Sequence, residues 1–500
     1  MTSRSRTGRR RGRTFILRQV AYVVGAVVGA SGLAVLPAAA TSAIYQEWAD
    51  FRALLLAAAV TMAVGAFFWR YVGRRGSELT SREGFAIVGV SWFAISAFGS
   101  LPYIFSGAIP DLTNAYFETA SGFTTTGASI LADPGQLGHG LLMWRSLTQW
   151  VGGMGIIVLS VAILPLLGVG GVQLARAESP GPTPDRLTPR FSQTAKRLWL
   201  LYAAITFTQI VLLTFGDMNL FQSIAHSLTT MSTGGFGTEA TSLNNFSIYS
   251  QWVVILFMVV AGSSFTLLYR GLRRPRAFFE SAEFRTYIAI AIGAIIVVVG
   301  GLIATGSGWS EETIRDGTFT SISIITTTGF GTADFALWVS GLQVFIVGLM
   351  FLGGMAGSTA GGVKTFRIGT LAKAAHADLR RLIHPRGVFV TRFGKKAVPD
   401  DIVESIQSFF LFYMFLFMTG TFLLAFIDSN SSTDLDLVTT ATAVASALGN
   451  IGPGLADVGP TSNYAGIPGL GKWLLSFLMI TGRLEVFPVL LLFTPDLWRK

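Results

Sequence analysis

The chain contains no cysteine and only four histidines, His139, His226, His376 and His384. The missing cysteine excludes disulfide scaffolds, thiolate zinc sites, iron–sulfur clusters and cysteine nucleophiles together. The histidines lie far apart and form no HExxH pair, which argues against a histidine-based metal site. Charge is scarce too. Asp, Glu, Lys and Arg make up 13% of 500 residues, about half the ~25% of a typical globular chain. So few charges cannot cover a water-facing surface. What is abundant is apolar: 51% hydrophobic residues, 39 Phe and 57 Gly, and glycine is more frequent in transmembrane helices than in soluble ones. The composition points to an all-α polytopic membrane protein.

A bilayer core takes about 20 mostly apolar residues per helix. Such runs occur near 15–40, 50–70, 84–107, 141–168, 197–215, 249–270, 286–306, 340–363, 403–427 and 470–493. Ten spans place both termini on one side. Of 37 basic residues, 32 fall in the tails or in even-numbered connections, so the positive-inside rule puts both termini in the cytoplasm. The net charge of +10 thus reads as a topogenic and lipid-facing signal rather than a nucleic-acid-binding one. Near the N-terminus, RRRGR, an apolar run and Pro37-Ala38-Ala39-Ala40 imitate a secretory signal. The apolar stretch is about twice the ~7–15 residues of a signal core, so a retained first transmembrane helix is expected.

The outward connections 108–140, 216–248, 307–339 and 428–469 each hold a helical stretch too short to span, leading into a Thr/Gly-rich segment. The motif residues are Thr125-Thr126-Gly127, Ser232-Thr233-Gly234, Thr327-Thr328-Gly329 and Leu448-Gly449-Asn450. A repeat of this length decides an architecture. The unit is span, pore helix, filter loop, span, with a pair of extra spans at 1–83 and repeats at 84–191, 192–283, 284–402 and 403–500. Non-helical backbone at membrane depth survives only when buried in protein or lining a water-filled path. Four such loops around one pore would form a ring of carbonyls able to replace the hydration shell of a monovalent cation. Each short helix would aim the negative end of its dipole at that ring.

Within the third repeat, Gly353, Gly354, Gly357, Gly361 and Gly362 crowd into ten residues, with Ser358, Thr359 and Lys364 among or beside them. Glycine costs about 1 kcal/mol relative to alanine in a helix interior, so this stretch should unwind. Directly below the filter, it reads as a gate; an intact helix with a small-residue packing face is the weaker alternative. Gly357 to Thr365 is not a phosphate-binding loop, because Val363 separates Gly362 from Lys364 and no strand precedes it. Arg483 lies inside the last span, where an arginine costs at least ~2.5–3.5 kcal/mol. It reads either as a positive charge beside the gate, or as part of a buried structural ion pair or a side chain snorkelling to the cytoplasmic side. No nucleophile with a positioned base is visible, so the chain is not expected to be an enzyme.

These residues carry a family resemblance. The four pore loops, LGGMAGSTAGGVKTFRI at 352–368 and GRLEVFPVLLLFTPDLWR at 482–499 resemble the Trk/Ktr/HKT potassium transporter superfamily. The leading span pair, LGNIGPGL at 448–455 and the terminal FTPDLWRK resemble its TrkH branch more than its KtrB branch. The resemblance implies passive or ion-coupled K⁺ uptake across the plasma (inner) membrane by a homodimer with one pore per subunit. It also implies a cytoplasmic ring of TrkA-type regulatory subunits that bind nucleotide, with no cofactor in this chain. The family's filter glycines carry over to Gly127, Gly234, Gly329 and Gly449; serine at the first would imply Na⁺ permeation. On that register Leu448 replaces a threonine. The nine basic residues from Lys364 to Lys396 are the expected dock for the ring. An H⁺- or Na⁺-coupled symporter on the same scaffold is the alternative.

Overall fold

The computed structural model describes residues 6–72, 81–162, 189–431 and 433–498. Helices dominate. The N-terminal group is α1 (Arg6–Leu33), α2 (Leu36–Ile44) and α3 (Trp48–Val72). Next come α4 (Ser81–Gly99), α5 (Leu101–Ser106), the short α6 (Leu112–Phe123) and α7 (His139–Ala162). After them run α8 (Pro189–Thr214), the short α9 (Leu220–Met231), α10 (Ile248–Ala261), α11 (Phe265–Arg273) and α12 (Arg276–Glu280). The third group is α13 (Ala282–Leu302), α14 (Glu311–Ile325), α15 (Ser340–Met350) and α16 (Thr365–Ile383). The last is α17 (Asp400–Ser429), α18 (Leu437–Gly449), α19 (Gly469–Arg483) and α20 (Phe487–Leu492). The end of the expected 141–168 span and the basic segment from Arg176 to Arg186 lie outside the described residues.

Six helical stretches among the described residues are long and apolar enough to cross a bilayer, and a seventh if the bent pair α10–α11 counts as one. Besides the short interruptions between α1 and α2 and between α4 and α5, three expected spans are broken. The 249–270 span turns by 100° between α10 and α11, at Gly262-Ser263-Ser264. The 340–363 span is helical only to Met350, which removes the intact-helix alternative. The 470–493 span stops at Arg483, and Glu485 and Val486 take left-handed backbone, φ 59 and 66. Pro488 accounts for the last break, because its ring would collide with the carbonyl of residue 484 in a continuous helix. Pro37 ends α1 at Leu33 by the same clash, and Ala38 and Ala39 are buried in α2.

Two contacts fix the N-terminal group. Gly65 of α3 meets Gly25 and Gly29 of α1 so closely that an added Cβ would lie 2.4 Å from the Gly29 nitrogen. Small residues let helix backbones approach in this way. In the turn before α3, the Glu47 carboxylate accepts the backbone N–H of His139 at 2.8 Å and of Gly140 at 3.2 Å. It thereby caps the start of α7, while the Tyr45 ring stacks on His139 at 3.7 Å. Burial alone would raise the Glu47 carboxyl, but these donors hold it below the usual range.

Gly65→Leu should force α1 from α3 and destabilise the protein by about 1–3 kcal/mol, the usual cost of overpacking. A lower melting temperature of the detergent-purified protein is the expected reading. Gly293→Leu is the control, since nothing lies within 4 Å of its added Cβ. Equal melting temperatures for the two variants would contradict this packing.

Candidate functional site

Four short helices carry the site, and each starts on a polar cap. Asp111, Asn219, Ser310 and Asp436 each accept a hydrogen bond from the backbone N–H three residues on, satisfying an orphan donor. Buried along most of their length, these helices turn their hydroxyls back onto the preceding turn, as Thr119 does to Ala115 O and Thr230 to His226 O.

All four end alike. Thr125 N donates to Gly122 O and Thr126 N to Ser121 O, and the same pair of bonds recurs at Thr233/Gly234, Thr327/Thr328 and Asn450/Ile451. This is the Schellman closure, whose pivot residue is left-handed and usually glycine. Here the pivots are Thr125, Thr233, Thr327 and Asn450, with φ of 53, 53, 54 and 54. Asn tolerates that region; for a β-branched threonine the strain is about 1–3 kcal/mol. Two residues further, Gly127, Gly235, Gly329 and Gly452 again have positive φ.

The backbone therefore corrects two sequence-based equivalences. The partner of Gly127 and Gly329 is Gly235 in the second loop, not Gly234, and Gly452 in the fourth, not Gly449. The second loop holds three glycines within four residues and the fourth holds two, and composition does not reveal which one turns left-handed. Leu448 is consequently no replaced threonine. It is buried at the helix end, like Phe123, Met231 and Ile325. The residues standing where Thr125 and Thr126 stand are Asn450 and Ile451.

Contacts between loops confirm this register. A Cβ added to Gly127 would lie 2.3 Å from Gly234 O, and one on Gly235 2.0 Å from Thr328 O. One on Gly329 would lie 1.8 Å from Ile451 O, and one on Gly452 2.8 Å from Thr126 O. Each glycine meets the carbonyl just before the corresponding glycine of the next loop, and the fourth loop returns to the first. Only a hydrogen fits at these four positions. Backbone oxygens so arranged can replace the water around a monovalent cation, and the helix ends leading into them add partial negative charge. Among the described residues no three His, Asp or Glu side chains gather to hold a metal ion.

Residues 351–364 lie against these loops. Gly361 N donates to Thr327 Oγ1 at 2.6 Å, and an added Cβ on Gly361 would sit 2.3 Å from Gly449 O. Thr359 Oγ1 donates to Met231 O and Ala261 O at 3.1 and 3.2 Å. The segment starts and ends on a parallel pairing of Leu352 with Val363 and Gly353 with Lys364. Gly357 and Gly362 turn it through positive φ, Ser358 Oγ donates to Met355 O, and Gly354 packs against Gly262 O, where a Cβ would come within 2.6 Å. The segment also fills the break in α10–α11: Met355 N donates to Gly262 O at 2.9 Å, and Phe265 N to Gly357 O at 3.0 Å. Arg483, 2% exposed, donates from Nη1 to Thr359 O at 2.6 Å. It pairs with no carboxylate among the described residues, and its Nε and Nη2 have no hydrogen-bond partner there. Lys364 Nζ donates to Ala360 O.

Several residues that hold this site escaped the sequence pattern. Glu118 and Arg145 form a buried pair at 2.7 Å. Glu118 also accepts from Ser129 Oγ and Ile130 N, both at 3.0 Å. Arg145 donates to Gly237 O at 2.8 Å and lies 3.6 Å over the Phe236 ring. Such a pair is tolerable in a core because every charge finds partners. Gln149, one turn on, reaches the same loop. Glu283 accepts from Ala356 N at 2.6 Å; Glu485, whose place beside Arg483 in the last span is evident from the sequence, pairs with Arg367. The available signal was a charged or amide side chain inside an apolar helix. Lys364 and Arg367 are 7% and 3% exposed, so two of the nine residues of the expected basic dock are not at the surface.

Comparison with known proteins places the chain in a family. The family model described as TrkH, cation transport protein, matches residues 52–500. The Trk system potassium uptake protein TrkH of Salmonella typhimurium is 39% identical, covering 97% of this chain and 99% of its own length. Its counterpart in Escherichia coli K12 is 38% identical over the same shares. The crystal structure of the potassium transporter TrkH from Vibrio parahaemolyticus superposes with a TM-score of 0.88 at 34% identity, covering 97% of this chain and all of that one. The chain belongs to the TrkH family of cation transport proteins.

Proposed function

We propose that this protein takes up potassium across the plasma membrane through a K⁺-selective pore made by its four loops and closed by an intramembrane gate. One observation carries the reading: the closed cycle in which Gly127, Gly235, Gly329 and Gly452 each meet the carbonyl preceding the corresponding glycine of the next loop. The relatives named as potassium uptake proteins supply the ion. The carbonyls of Thr126, Gly234, Thr328 and Ile451 are the inner ring of the filter, and Thr125, Thr233, Thr327 and Asn450 stand at its lower end. Four span–short helix–loop–span units, at 84–191, 192–283, 284–402 and 403–500, surround one pore beside the pair of spans in 1–83. Ten crossings result when the broken pairs α10–α11, α15–α16 and α19–α20 each count as one and α7 is included. Both termini then lie in the cytoplasm.

The gate is the segment 351–364 with Arg483. A lone buried guanidinium on the Thr359 carbonyl sets a positive charge in the cation's path, and moving the segment away opens it. The subunit works as a homodimer, and a TrkA-type nucleotide-binding ring docks on the exposed Lys373, Arg380, Arg381, Arg386, Arg392 and Lys395. The second reading, symport with H⁺ or Na⁺, gains support from Glu283 and Glu485, acidic groups beside the gate segment.

Purified protein in liposomes should carry K⁺ down its gradient, unaffected by an imposed pH or Na⁺ gradient. Flux that follows either gradient would select the symporter, and no K⁺ flux from the wild type or from the gate variants below would remove both readings. Gly127→Ser, whose Cβ would meet Gly234 O at 2.3 Å, should lower the K⁺/Na⁺ flux ratio about tenfold, equivalent to ~1.4 kcal/mol. An unchanged ratio contradicts the ring. Arg483→Ala, or deletion of 355–360, should raise flux in the absence of any regulatory subunit; no rise in either leaves Arg483 a structural residue.

A further inference from the structure

One loop is held differently from the others. Gln149 Nε2 donates to Gly234 O at 2.6 Å, and Gln149 Oε1 accepts from Phe236 N at 3.2 Å. The amide thus straddles Gly235, the left-handed glycine of the second loop. Arg145 lies one turn earlier on the same face of α7, as i,i+4 neighbours do, and grips Gly237 O beyond it. The side chain that reaches loop two therefore belongs to the preceding repeat.

The other repeats show what is unusual. Trp150-Val-Gly-Gly-Met154 after Gln149 matches Phe351-Leu-Gly-Gly-Met355 after Met350. The geometry extends the match. Added Cβ atoms on Gly152 and Gly482 would lie 1.9 and 2.0 Å from the Phe123 and Leu448 carbonyls, which are equivalent helix ends. Those on Gly153 and Gly262 would strike Ser232 and Thr326, which are equivalent caps. The positions corresponding to Gln149 are thus Met258, Met350 and Met479, all buried and none able to donate a hydrogen bond. In the loops, the residue before the left-handed glycine is Thr126, Thr328 or Ile451, but Gly234 in the second. Space explains the exception: a Cβ on Gly234 would lie 2.3 Å from Gln149 Cδ.

We propose that Gln149 is a specificity-determining positioning residue, its amide standing where the second loop lacks a side chain and fixing the Gly234 carbonyl of the ring. The inference rests on the pore reading above. A smaller cation such as Na⁺ is held well only if the ring oxygens move inward. A carbonyl tied to a donor resists that movement and offers the ion less of its lone-pair density. The clamp therefore favours K⁺ over Na⁺ from one side of the ring.

The test is the ratio of K⁺ to Na⁺ flux in liposomes, for the wild type and for Gln149→Met, Gln149→Glu and Gln149→Met with Gly234→Thr. Methionine fills the corresponding places in the other repeats, and glutamate keeps the Phe236 contact while losing the donor to Gly234 O. Both single variants should lower the ratio about tenfold, or ~1.4 kcal/mol. The double variant, which copies the arrangement of the third loop, should recover part of it. A wild-type ratio in Gln149→Met overturns the proposal, as does failure of every variant to fold, which would make Gln149 a packing residue. A wild type that does not discriminate K⁺ from Na⁺ would instead overturn the pore reading itself.

Discussion

Every backbone N–H and C=O placed at membrane depth must find its partner inside the protein or along a water-filled path, because the hydrocarbon offers none. This constraint organises the molecule. Long helices meet it within themselves. The irregular segments meet it in two other ways: the four loops through Schellman closures on their own short helices, and residues 351–364 by bonding into the gap between α10 and α11. Irregular backbone is thus confined to places where a helix end or another segment of the protein completes it.

The strained pivots follow from the same economy. Three threonines hold left-handed backbone at the ends of α6, α9 and α14, where glycine would be easier. Their hydroxyls are then available where the loops turn, and Thr327 uses its own to accept from Gly361. Strain persists in such positions only when the surroundings over-determine them. Here the surroundings are the next loop for all three, and for the first and second loops also the buried side chains of Glu118, Arg145 and Gln149. The second loop, with least side chain of its own, has most of its support from α7.

The broad outline was legible in the residues. Scarce charge, long apolar runs and four Thr/Gly-rich segments pointed to a helical membrane protein with recurring loops, and the glycine-crowded stretch after Met350 is indeed not helical. The register inside the loops was not legible. Gly234-Gly235 and Gly449-Asn-Ile-Gly452 each offer two turning points, and only the closure bonds to the preceding helix select between them. The breaks at Gly262 and before Pro488 were hidden because hydropathy averages over a turn of backbone. The pairing of Glu118 with Arg145 was not legible either, since a partner 27 residues away leaves no local trace. Gln149 became visible only once its counterparts were known to be methionines.

The insertion of residues 351–364 into the α10–α11 break has a thermodynamic consequence. Gly262 O and Phe265 N are each completed by that segment, through Met355 and Gly357. Withdrawing it strips two buried backbone groups of their partners, at about 1–3 kcal/mol for each, unless water takes their place. Displacement of the segment and wetting of the space it leaves are therefore one event. A dry displaced state is disfavoured by the helix next door as much as by the segment's own contacts.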